Sequence, residues 1–465
     1  LQDKPQYITK IYDFSSSGWG VGRKADYRVS LIRGAVIGDT VEFTVLTDSH
    51  TLTNGIVSKI IEPSPDRIKH PCVHYDDGCA GSLLGSYDYH KGIEWKRNNL
   101  REVLRRIGKI ENPNIEDIIT GERIWGYRNR IELQIFRTED VVDMGYKSDR
   151  KQLPICDCLL AMNSIRQVLP SLKKALATIK PKPSGLSGRM LLRDNGHGQC
   201  VGVLFIARQQ EKEWRLWIGG LKELFAGWQM RTMFSLDHRF TDSVLVDSAG
   251  DAAIYRDISG KEIMIDTMCF SQTNDEIEVK MRELVLKELS PDGRLLELYG
   301  GYGHIGLAFG FEHNLKRYPI KPAVEKPPNN DAPGEENRTV VEEAVKIFIT
   351  DVNKEAIKIA RRYINKYNLS GGSAPLDAAV AARRFLLQDT PQYVIADPPR
   401  SGLSREVIRC LNEVKVKKLI YISCHPAVLA RDLDLLKEYE PKRFIPFDMF
   451  PQTAEMETVC ILERR

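Results

Sequence analysis

The period of the hydrophobic pattern changes twice along this chain. Over residues 7–11, 27–32 and 40–46 apolar and polar positions alternate in short segments. Between the first two runs the glycine-rich turn Ser17-Gly18-Trp19-Gly20-Val21-Gly22-Arg23. Short alternating segments joined by glycine turns predict a small β-barrel over residues 1–62. Pro63-Ser64-Pro65 predicts the linker that ends it. From 63 to 267 helix and strand patterns are mixed, which predicts a central α+β domain. There, 127–133 alternates as a strand does, and 91–109 sets Ile93, Trp95, Leu100, Val103, Leu104 and Ile107 at helical spacing. From 268 to 465 the two periods take turns. Helices are predicted over 275–289, 355–367 and 427–437, and strands over 295–299, 346–350, 393–396 and 418–423. That alternation predicts an α/β unit with a doubly wound, mainly parallel sheet. Residues 319–336, rich in Pro, Asn, Glu and Lys, predict a disordered insertion rather than a domain.

A chain of 465 residues exceeds what one hydrophobic core organises, in keeping with three regions. The 42% hydrophobic and 28% charged content is that of a globular protein. No run of about 18 apolar residues argues for a membrane span, and no secretory signal is visible. Nine cysteines in this length are too sparse for a disulfide framework, so a cytoplasmic setting is expected, with thiols used for chemistry or metal. The net charge of +4 decides little, but it is locally uneven. Between Lys91 and Lys109 stand seven Lys or Arg and two acids, which predicts a helix with a basic outer face. Such a face serves nucleic-acid binding or plain solvation.

In an open parallel sheet, ligands sit beyond the carboxyl ends of the strands. The first predicted strand ends in Tyr299-Gly300-Gly301-Tyr302-Gly303-His304, whose glycines let backbone approach a ligand. The second ends in Asp351, a carboxylate for ribose hydroxyls or a helix N-cap. The third ends in Asp397-Pro398-Pro399-Arg400, a stiff extended turn after an acid. The fourth ends in Ser423-Cys424-His425-Pro426, setting a thiol before a helix N-terminus, where the dipole lowers its pKa. A buried structural thiol is the alternative.

These residues, with Phe270-Ser271-Gln272-Thr273-Asn274 before them and Phe450-Pro451-Gln452-Thr453-Ala454-Glu455-Met456-Glu457-Thr458-Val459 after, carry a family resemblance. The chain resembles the RNA (uracil-5-)-methyltransferases, in the branch that modifies 23S ribosomal RNA and carries an N-terminal TRAM domain. The motifs occur in the family's order. Upstream, residues 13–38 resemble the TRAM barrel, and Tyr127-Arg128-Asn129-Arg130 resembles a motif of the central domain. The resemblance implies an OB-like TRAM barrel, a central α+β domain and a C-terminal Rossmann-like domain that binds S-adenosyl-L-methionine. It implies cofactor contacts at Gln272, Tyr299, His304, Asp351 and Asp397, a nucleophile at Cys424 and a base at Glu457. The partner implied is RNA, foremost 23S rRNA, acted on by a monomer. A tRNA substrate, or a non-catalytic RNA-binding assembly factor, is the alternative.

The chemistry needs those groups. Carbon 5 of uracil is a poor nucleophile until a thiolate adds to carbon 6. The methylated adduct keeps a proton on carbon 5, which a carboxylate must remove before the thiolate leaves. Glu455 and Glu457 are two apart and share a face on a strand; the motif register selects Glu457. Arg400 is a candidate for stabilising charge on the pyrimidine oxygen, or a structural ion-pair partner.

Some positions depart from the family's pattern. Its iron–sulfur version carries Cys-x5-Cys-Gly-Gly-Cys and a later Cys. Here Cys72 is followed by Cys79-Ala80-Gly81-Ser82, and later by Cys156 and Cys158. The implied ligands of a [4Fe-4S] cluster are Cys72, Cys79 and Cys158, with Cys156 or Ser82 as a fourth. Zinc held by the same thiols, or no metal, is the alternative. Gly300 replaces a Cys, His425 an Asn and Glu455 a His, and His304 stands where a small polar residue is commoner.

Overall fold

The computed structural model describes residues 5–24, 26–138, 141–148, 151–179, 186–236, 243–315, 346–388 and 390–465. The insertion expected at 319–336 lies outside them.

The N-terminal region is a six-stranded sheet of β1 (Gln6–Lys10), β2 (Asp13–Phe14), β3 (Gly20–Arg23), β4 (Val29–Arg33), β5 (Thr40–Asp48) and β6 (Leu52–Glu62). Its order is β1-β5-β6-β4-β3-β2. Alternation aims Ile11, Ile32, Val41, Phe43 and Val45 into one core, as the sequence predicts. Two strands were hidden from the pattern. β3 lies inside the glycine-rich segment, and β6 is the longest strand of the sheet yet opens on the polar Leu52-Thr53-Asn54-Gly55.

The middle region holds a seven-stranded sheet of β7 (Arg130–Thr138), β8 (Val141–Ser148), β9 (Lys151–Pro154), β10 (Gly188–Asp194), β11 (Cys200–Ala207), β12 (Gly227–Met233) and β13 (Val244–Gly250), ordered β13-β12-β11-β10-β7-β8-β9. The helix Asn163–Ala177 buries Ile165, Leu169, Leu172 and Leu176 in its core. A hairpin of β14 (Ala253–Ile258) and β15 (Lys261–Asp266) sends Ile254, Ile258, Ile263 and Ile265 into the C-terminal core.

The C-terminal sheet contains β16 (Leu295–Leu298), β17 (Ile347–Thr350), β18 (Gly371–Ala374), β19 (Tyr393–Ala396), β20 (Lys418–Ser423), β21 (Tyr439–Phe447) and β22 (Glu457–Arg464). The order is β18-β17-β16-β19-β20-β22-β21, with β22 antiparallel to both its neighbours and the other pairings parallel. The predicted strands and helices appear within a few residues of their expected bounds, and the doubly wound sheet is present. The motif containing Glu457 runs into β22, which pairs with β20.

The basic segment folds as the helix Tyr89–Arg106, but its face is not uniformly solvated. Lys96 is 2% exposed and bonds Asp448 at 2.6 Å, and Leu100 and Leu104 join the core of the C-terminal sheet. The following segment continues onto the sheet edge, with Ile115 bridging Phe444 and Ile119 bridging Phe447. No helix of the described residues is long and apolar enough to cross a membrane.

Candidate active site

Strand register assembles the site. Leu298 pairs with Ala396 and Glu297 with Ile349. Extending both registers past the strand ends sets Tyr299, Asp351 and Asp397 in one row at the carboxyl edge. On the other side, Ser423 pairs with Thr458 in an antiparallel ladder. One step further, the same register sets Cys424 opposite Glu457. The two residues expected to act on the base are thus neighbours across the ladder although 33 positions separate them in the chain.

The glycine loop is built around buried polar anchors. Glu297, inside the apolar strand, accepts from Gly306 N at 3.0 Å, and burial pushes its carboxyl up to about 8. Tyr299 takes φ +58°, a conformation unusual for a bulky residue, and turns the chain out of the strand. Gly301 (φ +56°) has open space where a Cβ would stand, whereas a Cβ at Gly303 (φ +78°) would meet Ile349 Cδ1 at 2.4 Å. One glycine therefore leaves room for a ligand and the other allows the loop to close on the sheet. Asp351 takes the Gly301 amide at 2.9 Å and the Asn353 amide at 2.7 Å. The N-cap of the next helix is Asn353, not Asp351.

Gln272 Nε2 reaches Asp397 Oδ2 at 3.5 Å, bringing the first motif to the third strand end. Burial raises Asp397 to about 7. Past it, the turn is clamped by buried Asp432, which accepts from Leu403 N at 2.8 Å and from Tyr421 Oη at 2.7 Å. His304 lies on the far side of the loop. Its Nε2 stands 3.6 Å from Glu278 Oε1, makes no hydrogen bond among the described residues, and burial holds the ring down to about 3. Glu278 is itself bonded to Arg282 at 2.6 and 2.8 Å.

Cys424 is half-buried and precedes the helix Pro426–Leu435, whose N-cap is His425. The helix does not lower its thiol. Burial, then the neighbouring Glu457 carboxyl, pushes it up to about 12, against a smaller opposing effect of Arg400. Dehydration and an adjacent acid outweigh a helix dipole that acts only over its first turn. Glu457 is 4% exposed, and its Oε2 has no hydrogen-bond partner among the described residues. Burial, with Asp397 and Glu455 adding, holds it well above the carboxylate range. Arg400 forms an ion pair with Glu455 at the mouth of the site.

Residues 384–465 match a family model described as tRNA (Uracil-5-)-methyltransferase. Relatives extend the match over the rest of the chain. A protein of Clostridium acetobutylicum described as an uncharacterized RNA methyltransferase is 24% identical over 477 residues, covering 98% of this chain and 97% of its own length. One of Aquifex aeolicus, described likewise, is 26% identical over 476 residues, covering 100% and 99%. The chain belongs to the RNA uracil-5-methyltransferase family. A solved structure of Pyrococcus abyssi tRNA (uracil-54, C5)-methyltransferase in complex with S-adenosyl-L-homocysteine shares the fold. Its TM-score is 0.72 at 20% identity, covering 98% of this chain and 100% of that one.

Membership makes this chain an S-adenosylmethionine-dependent RNA methyltransferase, and the strand-end row fits that cofactor. The row offers a carboxylate at Asp351, a loop with open space at Gly301, and buried carboxyls at Asp397 and Glu457 that lack a cation other than the outward-paired Arg400. Such a set suits ribose hydroxyls at one end and a sulfonium at the other.

The methyltransferase does not assemble the expected metal ligands. Cys72, Cys79, Ser82 and Cys158 line one cavity. Ser82 Oγ is bonded to His70 Nε2 at 3.3 Å, and Cys156 Sγ lies outside, 3.6 Å from His74 Nε2. Among the described residues, no group of three or more His, Cys, Asp or Glu is placed to hold a metal ion. The donor set stops at three thiols where a cubane wants four, so neither the cluster nor the zinc expectation fits these residues.

Sequence reasoning missed Glu297, Asp432 and the Lys96–Asp448 pair. A lone carboxylate within Leu-Leu-Glu-Leu was a legible signal for the first. Asp448 and Lys96 are 352 residues apart, and nothing local marks them as partners.

Proposed function

We propose that this protein methylates carbon 5 of a uridine in RNA through a covalent adduct at Cys424, with Glu457 as the base. The register that sets the Cys424 thiol opposite a buried carboxyl with an unpartnered oxygen carries this reading. Cys424 gives up its proton and its sulfur bonds to carbon 6 of the uracil, and the displaced electron pair makes carbon 5 nucleophilic. S-adenosylmethionine, when bound, supplies the electrophilic methyl group that carbon 5 takes up. Glu457 then removes the proton left on carbon 5, the carbon 5–carbon 6 double bond re-forms, and the sulfur leaves. Arg400 stands where it offsets negative charge near Cys424 and Glu457. The target base has to leave its stack to reach the pocket, which favours single-stranded loops.

Within RNA, 23S rRNA is the substrate the barrel and cysteine segment imply by resemblance. The family model's description and the P. abyssi fold favour the second reading, a tRNA loop. Mapping 5-methyluridine in 23S rRNA and in tRNA from cells with and without the protein separates them. An assembly factor without activity would have no need of the Cys424–Glu457 pair.

Trapping tests the chemistry. RNA substituted with 5-fluorouridine blocks proton removal, so the parent protein is expected to stall as a covalent complex linked at Cys424. Cys424→Ala is expected to give no complex. Glu457→Gln on ordinary RNA is expected to accumulate adduct while turnover falls by about 10²–10⁴. A complex that survives Cys424→Ala would defeat the mechanism.

A further inference from the structure

A cavity of about 380 Å³ lies between the barrel and the middle region. Its contents are not explained by the catalytic row or by a metal. The volume falls in the range, roughly 300–1,000 Å³, of pockets that enclose an organic ligand. Three cations face it, Arg33 from the barrel and Arg128 and Lys147 from the middle region, and no carboxylate lines it. Arg33 is anchored on the Gly78 carbonyl, and Arg128 lies over the Tyr127 ring at 5.9 Å from its centroid. Three aromatic side chains complete the wall: Trp19, Trp125 and Tyr146. A concave site with uncompensated positive charge and exposed ring faces has the chemistry that grips a phosphate and stacks a base.

The wall is also bonded to the catalytic loop. Leu84 N, two residues from Ser82, donates to Gln452 O at 3.0 Å. Tyr127 Oη, beside Arg128, donates to Pro451 O at 3.1 Å. Ala454 packs with Leu83 and Leu84 in one cluster. The loop so held continues directly into Glu455 and Glu457. Whatever fills the cavity therefore rests on the segment that delivers the proposed base.

We propose that the cavity receives a second, non-target nucleotide of the RNA, its base stacked on an aromatic wall and its phosphate neutralised by Arg33 and Arg128. This rests on the reading that the protein acts on RNA. In this chain, the thiol-lined space is a substrate subsite, and Ser82 in place of a fourth thiol is what frees it from a metal role. Occupying it holds the strand by a nucleotide that does not react, so that the target base can be presented to Cys424.

The test is photo-crosslinking of the full chain to 4-thiouridine-substituted transcripts of 23S rRNA and of tRNA, with crosslinked peptides mapped by mass spectrometry. Crosslinks are expected on peptides carrying Trp19, Trp125 or Tyr146. Trp125→Ala is expected to weaken RNA binding by about tenfold. The exposed Lys147→Glu, which does not threaten folding, is expected to weaken it too and to flatten its salt dependence. Cys424→Ala is expected to keep both crosslinks and affinity, which separates a failure of the chemistry from a failure of the subsite. Parent-like RNA affinity in Trp125→Ala and Lys147→Glu would overturn the proposal, as would absence of binding by the parent to either transcript. So would iron with sulfide, or zinc, in the purified protein that is lost on Cys158→Ser.

Discussion

At the scale of single residues, the site works against its own ionisation. Burial raises Cys424 to about 12, and each of its acidic neighbours, Glu457 and Asp397, is also held up toward the neutral form. The thiol is the reactive group only as thiolate, so at neutral pH a small fraction of molecules is ready to attack. A raised acid gains its active, deprotonated form as pH rises, and the same holds for Glu457 as a base. Adduct formation with 5-fluorouridine RNA in a single turnover is thus expected to speed up by about tenfold per pH unit from about pH 6 to about pH 9. A flat profile would show that the thiolate is already formed in the complex. The Arg400–Glu455 pair belongs here as well, since an arginine held outward at the mouth leaves the pocket without a full positive charge.

At the scale of elements, the helix Tyr89–Arg106 and the loop before β22 act as one piece. Lys96 bonds Asp448 at 2.6 Å and the Phe450 carbonyl at 3.2 Å, and Tyr89 Oη donates to Asp448 at 2.7 Å. Both charges are nearly inaccessible to water, with 2% and 0% side-chain exposure. Removing one partner of such a pair strands the other and typically costs about 3–5 kcal/mol. Lys96→Met is expected to lower the denaturant midpoint accordingly, whereas Lys91→Met, on the exposed turn of the same helix, is expected to change it by under about 0.5 kcal/mol. Equal effects of the two substitutions would mean that the helix grips RNA or solvent rather than the catalytic loop.

At the scale of the whole molecule, the barrel presents stacking surface away from the catalytic row. Tyr12 is 50% and Tyr27 80% exposed, and Lys24 Nζ lies 4.2 Å from the centroid of the Tyr7 ring. Exposed rings beside cations suit sequence-tolerant binding of single-stranded RNA. Tyr12→Ala with Tyr27→Ala is expected to weaken RNA binding by about 1–3 kcal/mol per lost stack, read by filter binding at fixed salt. Melting behaviour is expected to stay unchanged, because neither ring belongs to the barrel core. Unaltered affinity would remove the barrel from the RNA path.

Much of this was legible in the chain itself. Local periodicity and turn chemistry depend on neighbours in sequence, so the barrel, the alternating α/β region and the strand ends bearing Tyr299, Asp351, Asp397 and Cys424 could be read without coordinates. Strands lacking that signal, such as β6 with its polar opening and β3 within glycines, became visible only through their hydrogen-bonded partners. Long-range packing alone decided the rest. It set Cys424 opposite Glu457, drew Lys96 inward to Asp448, and reversed the expected sign of the Cys424 pKa shift. It also left three thiols around a cationic cavity, with Cys156 turned to His74. Spacing along a chain specifies which groups are available. Their distance, their exposure to water and their charge environment arise only when segments hundreds of residues apart share a core.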